Sequence, residues 1–154
     1  MNKAIVWMTG LVLLWVAAVF SGCDETGSGG SGSSDVFRGE PAILDSALTI
    51  SVIDDRPDGI TDVFFSDTSK RIFLWIYWAN VEGRHSVDVR WFAPDSALDA
   101  PPFREERETF SSSTGEQITW FFIERPSNGF PRGEWIVEID IDDLFERSHL
   151  FLVE

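Results

Sequence analysis

Short apolar runs separated by turn residues make up the sequence from Val36 onward, and none keeps the 3.6-residue period of an amphipathic helix. The nearest helical candidate, residues 95–107, contains Pro101 and Pro102, and proline removes a helix hydrogen bond. The pattern therefore predicts an all-β domain of seven to eight strands. The predicted strands cover residues 42–53, 62–66, 71–80, 85–92, 104–110, 117–124, 134–141 and 145–153.

Two of these segments alternate between apolar and polar side chains over most of their length. In residues 85–92, apolar residues alternate with Asp88 and Arg90, and residues 134–141 repeat the pattern. Such strands have one buried and one solvated face, as antiparallel sheets commonly do. Together with the even strand spacing, this favours a single antiparallel β-sandwich over other all-β architectures.

Residues 71–78 differ because both faces of the predicted strand are apolar. One face is aliphatic and ends in Trp78, which suits the core. The other is an aromatic row, which would be an interaction surface if it were exposed. Its partner could be a protein or a sugar that stacks on the rings, and the alternative is that residues 92–110 fold over the row. The candidate binding residues are Phe73, Trp75 and Tyr77.

An acidic segment follows the first predicted strand. Calcium takes six to eight oxygen ligands, and this segment offers four carboxylates. Their spacing does not match an EF-hand loop, and residues 54–59 have the composition of a turn. We therefore predict a solvated turn without a bound metal or cofactor. The weak calcium candidates are Asp54, Asp55, Asp58 and Asp62.

The sequence is strongly acidic, with 26 acidic and 12 basic residues and a formal net charge of −14. This charge repels nucleic acids, so we expect no nucleic-acid partner. The two histidines, His85 and His149, stand outside any recognisable catalytic motif. Nucleophile-elbow, zinc-protease and phosphate-loop motifs are also missing from the sequence. We therefore do not predict an enzyme.

The first 22 residues have the organisation of an export signal. Lys3 precedes an uncharged apolar run over residues 4–20, and the small residues Ser21 and Gly22 come directly before Cys23. This arrangement resembles the lipobox of bacterial lipoproteins, although Phe20 stands where an aliphatic residue is usual. The resemblance implies cleavage before Cys23, the only cysteine, and acylation of its thiol. Acyl chains such as palmitate would then hold the protein in a membrane.

The cysteine is followed by a segment rich in glycine and serine, residues 24–35, which has no apolar side chain and is typical of a flexible linker. We therefore divide the chain into a signal peptide at residues 1–22, a lipidated tether at residues 23–35 and a β-domain at residues 36–154. The expected location is the bacterial cell envelope, with the domain facing the periplasm or the exterior.

A second resemblance concerns the domain itself. Residues 131–139 resemble the P-x-G-x-[WY]-x-[VL]-x-[VI] pattern that opens the penultimate strand of many bacterial immunoglobulin-like and fibronectin-like domains. Residues 78–95 are similar to the paired central strands of such domains. This implies an immunoglobulin-like sandwich without the usual cysteine pair. Asp142 and Asp143 occupy the last hairpin turn, where Asp-Gly or Asn-Gly is expected.

These observations together predict a lipid-anchored envelope protein that acts as a non-catalytic module for protein binding or assembly. A module that binds glycans or the cell wall through the aromatic row remains an alternative, as does a structural spacer. The expected partners are the membrane, through Cys23, and an envelope protein or a glycan.

Overall fold

The computed structural model describes residues 39–94 and 100–154, and these residues form nine β-strands and no helix. Each predicted strand overlaps an observed one, and one further strand begins inside a predicted turn. The strands are β1 (Ala42–Ile53), β2 (Arg56–Ile60), β3 (Val63–Phe64), β4 (Arg71–Ala79), β5 (Gly83–Phe92), β6 (Arg104–Ser112), β7 (Glu116–Glu124), β8 (Gly133–Ile141) and β9 (Leu144–Val153).

The additional strand, β2, corrects the prediction that residues 54–59 form one turn. Asp54 and Asp55 alone make the turn, with φ angles of 49° and 60°. Aspartate tolerates this left-handed conformation better than most residues, so two residues suffice to reverse the chain. Pro57 pairs with Val52 on the edge strand of the sheet, where its missing N–H can face solvent.

The nine strands form two sheets. In the four-stranded sheet the order is β2-β1-β4-β7, and all neighbours are antiparallel. In the five-stranded sheet the order is β3-β9-β8-β5-β6, where β3 runs parallel to β9 and the other pairs are antiparallel. The chain passes from one sheet to the other on both sides of β3, between β4 and β5, and on both sides of β7.

This order is that of an immunoglobulin-like domain. Strands β1, β4 and β7 take the positions of A, B and E in one sheet, and β9, β8, β5 and β6 take those of G, F, C and C′ in the other. The prediction of an all-β immunoglobulin-like sandwich is thus confirmed, with nine strands instead of seven or eight. In constant-type domains a strand D flanks strand E, whereas β7 ends its sheet among the described residues.

The core lies between the sheets and contains the predicted apolar faces of β4, β5 and β8. Its largest fully buried side chains include Trp78, Trp91 and Trp135. Burying an apolar side chain of this kind contributes about 1.5–3 kcal/mol relative to exposure. The core therefore holds the sheets together and directs the alternate side chains of every strand outward.

The turn between β8 and β9 forms without glycine. Asp142 and Asp143 have φ angles of 51° and 64°, so the Asp-Asp pair adopts the left-handed geometry of a two-residue hairpin. The Asp142 carboxylate accepts a hydrogen bond from the amide of Ser86 at 2.9 Å and lies 2.7 Å from the His85 ring nitrogen Nδ1. Asp143 forms an ion pair with Arg107. These contacts hold both aspartates in place.

The predicted signal peptide, the lipidated Cys23 and the Gly/Ser-rich tether lie outside the described residues. Residues 39–94 and 100–154 include no helix of the length and hydrophobicity that a bilayer span requires.

Candidate binding surface

The side of the four-stranded sheet that faces away from the core carries two aligned rows of large side chains, which we call the outer aromatic face. The central strand β4 supplies one row and the neighbouring strand β7 the other. The cross-strand pairs are Phe73 with Phe122, Trp75 with Trp120, and Tyr77 with Ile118. Side chains directly opposite each other on one face of a sheet are close enough to interact.

The rings of this face pack against one another across the two strands. Phe73 lies between Phe122 and Trp120, with centroid distances of 5.5 and 6.2 Å. Trp120 and Phe122 stack at 6.3 Å with 28° between their planes. The Arg71 guanidinium sits 4.7 Å from the centre of the Phe122 ring and also pairs with Glu124. The rings therefore form a preorganised aromatic cluster with a cation at one end.

Part of this face is covered. The turn between β1 and β2 folds over it, and the Trp75 indole nitrogen donates a hydrogen bond to the Asp55 carbonyl oxygen at 2.7 Å. Trp75 is only 7% exposed, and Phe73 and Tyr77 are half-buried. The sequence left the exposure of this row open, and in the structure the row is covered at Trp75.

The sequence left open whether residues 92–110 fold over the aromatic row. The described part of that segment includes β6, which pairs with β5 in the other sheet. The element that covers Trp75 is the β1–β2 hairpin, whose turn residue Asp55 accepts the hydrogen bond from the indole. Asp55 accordingly lines a shallow groove together with Tyr77 and Ile118.

The open part of the face lies on β7, which sequence analysis did not single out. Trp120 is 42% exposed, and Phe122 beside it is half-buried. The available signal was that residues 117–124, like residues 71–78, are apolar on both faces. A strand with two apolar faces is expected to be covered on both sides. The sequence does not show which of these two strands lies under the β1–β2 hairpin.

Strand β7 has a neighbouring strand on one side only among the described residues. On its other side the carbonyls of Glu116 and Ile118 accept hydrogen bonds from nearby side chains. The amide of Arg125 and the carbonyl of Gly115 bond to residues next to β4, at Lys70 and Val81. Because successive residues of a strand alternate in direction, odd-numbered positions of β7 point to β4 and even-numbered positions point away. The backbone groups of Trp120 and Phe122 consequently face the free edge, with no hydrogen-bond partner among the described residues.

A charged groove runs beside this edge, between β7 and β6. Glu106 and Glu108 pair in register with the core residues Val89 and Val87, so both glutamates point toward the four-stranded sheet. They line the groove together with Trp120 and with two arginines of β6. Both arginines are engaged: Arg104 pairs with Glu106 at 2.8 Å, and Arg107 pairs with aspartates on β5 and in the β8–β9 turn. Glu108 makes no ion pair within residues 39–94 and 100–154, so it leaves an unpaired negative charge beside the aromatic surface.

The four calcium candidates do not form a cluster. Asp54 and Asp55 form the β1–β2 turn, Asp58 lies on β2 and accepts a hydrogen bond from the Ser51 hydroxyl, and Asp62 follows β2. No group of three or more acidic, histidine or cysteine side chains placed to hold a metal ion occurs in the described parts of the chain.

The two histidines lie on different strands of the five-stranded sheet, His85 on β5 and His149 on β9. His85 sits against Asp142; burial would raise the pKa of that carboxyl, but hydrogen bonds from the Ser86 amide and His85 outweigh burial and lower it. His149 is largely buried, which lowers its pKa, and its Nε2 lies 2.8 Å from the Ser46 hydroxyl. This second contact joins β9 to β1, so it links the two sheets.

No known protein family and no curated protein matches this sequence. Several solved structures align with the chain at low identity. An immunoglobulin-like protein from Pseudomonas aeruginosa is 11% identical, with a TM-score of 0.48 over 75% of this chain and 97% of that one. A CARDB domain from Pyrococcus furiosus, solved with di-metal ions, is 14% identical, with a TM-score of 0.37 over 71% and 88%.

A β-glucosidase from Kluyveromyces marxianus also aligns, at 18% identity and a TM-score of 0.40. The match covers 71% of this chain and 14% of the enzyme. These similarities do not indicate a function. The assignment of this domain as immunoglobulin-like rests on its strand order.

Proposed function

We propose that this chain is a lipid-anchored protein of the bacterial cell envelope and that its immunoglobulin-like domain is a non-catalytic module that binds another envelope protein. The observation that carries the binding role is the open half of the outer aromatic face, where Trp120 stacks on Phe122 beside the Arg71 cation. Tryptophan and arginine are enriched among the residues that dominate protein interfaces.

Preorganisation supports this role. The rings of Phe73 and Phe122 already pack against Trp120, so binding would immobilise few additional side chains. Trp120 also lies beside the polar groove of β6, which would form the rim around an aromatic centre. An aromatic centre with a polar rim is the usual anatomy of a protein interface.

The anchor is supported by the resemblance of residues 20–23 to a lipobox. We expect metabolic labelling with a palmitate analogue to mark the wild-type protein and to leave Cys23→Ser unlabelled. The Cys23→Ser protein should also keep its leader and migrate as a larger species. Equal labelling of both proteins would contradict the anchor without bearing on the aromatic face.

The binding role is tested by quantitative co-purification from crosslinked cells. Trp120→Ala should reduce recovery of the specific partner at least about tenfold, because a central interface tryptophan contributes about 2 kcal/mol or more. Ile136→Ala is the matched control, since Ile136 is 39% exposed on β8 in the other sheet. Equal recovery with all three proteins would contradict the proposed surface.

Glycan binding is the second candidate, and the nearly parallel rings of Trp120 and Phe122 favour it. Sugar rings stack on exposed aromatic faces of this kind. Retention of the purified protein on insoluble cell-wall material, lost in Trp120→Ala and kept in Ile136→Ala, would favour glycan over protein binding.

A further inference from the structure

The free edge of β7 is a feature separate from the outer aromatic face. The strand is nine residues long, pairs along its whole length with β4, and has no neighbouring strand on its other side among the described residues. Side chains bond to the edge carbonyls of Glu116 and Ile118, whereas the backbone groups of Trp120 and Phe122 stay unpaired within the described residues. Exposed edges of this kind accept additional strands, and natural proteins usually block them with charges or proline. On the other sheet, β6 is such a blocked edge, because most of its residues are charged.

We propose that this edge binds an extended segment of the partner protein, which would add a strand to the four-stranded sheet at the position that strand D occupies in constant-type immunoglobulin domains. This inference rests on the proposed binding function and specifies the partner's chemistry. The segment carries apolar side chains at every second position and lysine or arginine at the positions between them.

The alternation follows from the two faces of β7. Side chains of an added strand that lie opposite Trp120 and Phe122 share the outer aromatic face, so apolar residues fit there. The intervening side chains point toward β6, where Glu106 and Glu108 line the groove. Glu108 has no ion pair within the described residues, and the whole chain carries a net charge of −14. Cationic side chains therefore suit these positions.

A second copy of this chain fits the edge less well. If two β7 strands paired antiparallel about Trp120, Glu116 of each copy would lie opposite Glu124 of the other. Like charges directly opposite each other destabilise a strand pair. The acidic grooves of both copies would also be brought together. The same charges that disfavour self-pairing thus favour a cationic strand.

Strand addition has a structural signature that face binding does not have. Amides at even-numbered positions of β7 point to the free edge, so Trp120 and Phe122 should exchange quickly with solvent, while those of Thr119 and Phe121 should be protected by β4. An added strand should slow exchange at the even-numbered positions specifically. Residue-resolved hydrogen exchange of the full-length protein in a non-ionic detergent measures this pattern.

The probe is a nine-residue peptide that alternates lysine and valine. A peptide of the same composition with its lysines grouped in one block controls for simple charge attraction. A second control peptide, with glutamate in place of lysine, tests whether binding requires positive charge. We expect the alternating peptide to bind at least about tenfold more tightly than either control and to slow exchange at Trp120 and Phe122. Equal binding of the alternating and blocked peptides would overturn the proposal.

Two variants complete the test. Ile118→Pro removes an amide that points to the free edge and leaves the β4 ladder intact, and Ile118→Ala controls for the lost side chain. Glu108→Lys reverses the groove charge without altering β7. Both Ile118→Pro and Glu108→Lys should weaken the lysine peptide by about tenfold, and Glu108→Lys should strengthen the glutamate peptide. Unchanged affinities in both would overturn strand addition.

Different experimental results would contradict the proposed function and the strand-addition inference. If Ile118→Pro retains the cellular partner while Trp120→Ala loses it, the partner binds the aromatic face and strand addition is wrong. If Trp120→Ala also retains the partner, the binding surface itself is wrong. Sedimentation measures whether the full-length protein forms dimers. Dimers that form in the wild type and are lost in Ile118→Pro would show that the edge binds a second copy instead of a cationic strand. That result would overturn the proposal.

Discussion

The indole nitrogen of Trp75 donates a hydrogen bond to the backbone carbonyl oxygen of Asp55, over 2.7 Å, and ties the β1–β2 turn to the outer face of the four-stranded sheet. This bond divides the aromatic face into a covered half on β4 and an open half on β7. The division explains why Trp75 is buried while its cross-strand partner Trp120 is exposed.

Removing this hydrogen bond should loosen the hairpin. Trp75→Phe keeps an aromatic ring but loses the donor, so we expect the free energy of unfolding to fall by about 1–2 kcal/mol. Trp120→Phe, at the opposite position on the open strand, should change it by less than about 0.5 kcal/mol. Urea unfolding of the two variants measures the difference, and equal losses would show that the turn is not held through Trp75.

The two Asp-Asp turns should respond differently to glycine. Asp54 has a left-handed backbone, and its carboxylate makes no hydrogen bond within the described residues. Asp54→Gly therefore relieves backbone strain without losing a contact, and the free energy of unfolding should change by less than about 0.5 kcal/mol. Asp142→Gly relieves a similar backbone but loses contacts to Ser86 and His85, and should cost about 1–2 kcal/mol. Thermal or urea unfolding tests this pair, and equal effects would contradict the role given to the Asp142 carboxylate.

Two fully buried core tryptophans form a second matched pair. The Trp78 indole nitrogen donates to the Thr119 hydroxyl at 2.8 Å, whereas the Trp91 indole nitrogen has no partner among the described residues. Trp78→Phe leaves the buried Thr119 hydroxyl without its donor, and Trp91→Phe removes an unsatisfied group. We expect Trp78→Phe to be more destabilising by about 1–2 kcal/mol in urea unfolding. The opposite order would contradict the hydrogen-bond assignment.

Stability should depend on pH through His149. Burial, followed by the nearby Arg147 and partly opposed by Asp45, lowers its pKa below the ordinary value of 6.5, so the folded state binds this proton less readily than the unfolded state. The stabilisation from neutral His149 is complete above that value and is lost as the pH falls through it toward the lower folded pKa. His149→Gln removes this titration.

Urea unfolding from about pH 7.5 to about pH 5 measures this effect as the difference between the wild type and His149→Gln. The wild type should lose stability relative to the variant as the pH falls. A difference that stays constant over this range would show that His149 does not titrate differently in the folded and unfolded states.

Alternation predicted the strands because it records which side chains a sheet buries. Val87 and Val89 on β5 and Val137 and Ile139 on β8 are all fully buried, as their spacing indicated. Strand β2 was missed because Pro57 and the aspartates around it are typical of turns, and an edge strand tolerates a proline that an interior strand does not.

The candidate surface was predicted only in part. The double apolar face of β4 showed that an aromatic row exists, but its cover depends on a two-residue turn at Asp54 and Asp55 and on the hydrogen bond from Trp75. Which strand carries the open half of the face depends on the order of strands in the sheet, and local alternation does not specify that order. The lipobox at Cys23 stays a prediction from sequence.

The most direct test of the binding surface is site-specific photo-crosslinking in living cells. A photoreactive amino acid at position 120, on the open half of the aromatic face, should give a discrete crosslinked product with an envelope protein. The same amino acid at position 136, which is similarly exposed on the opposite sheet, should give none. Products from position 136 alone, or equal products from both positions, would contradict the assignment of binding to the β7 side of the domain.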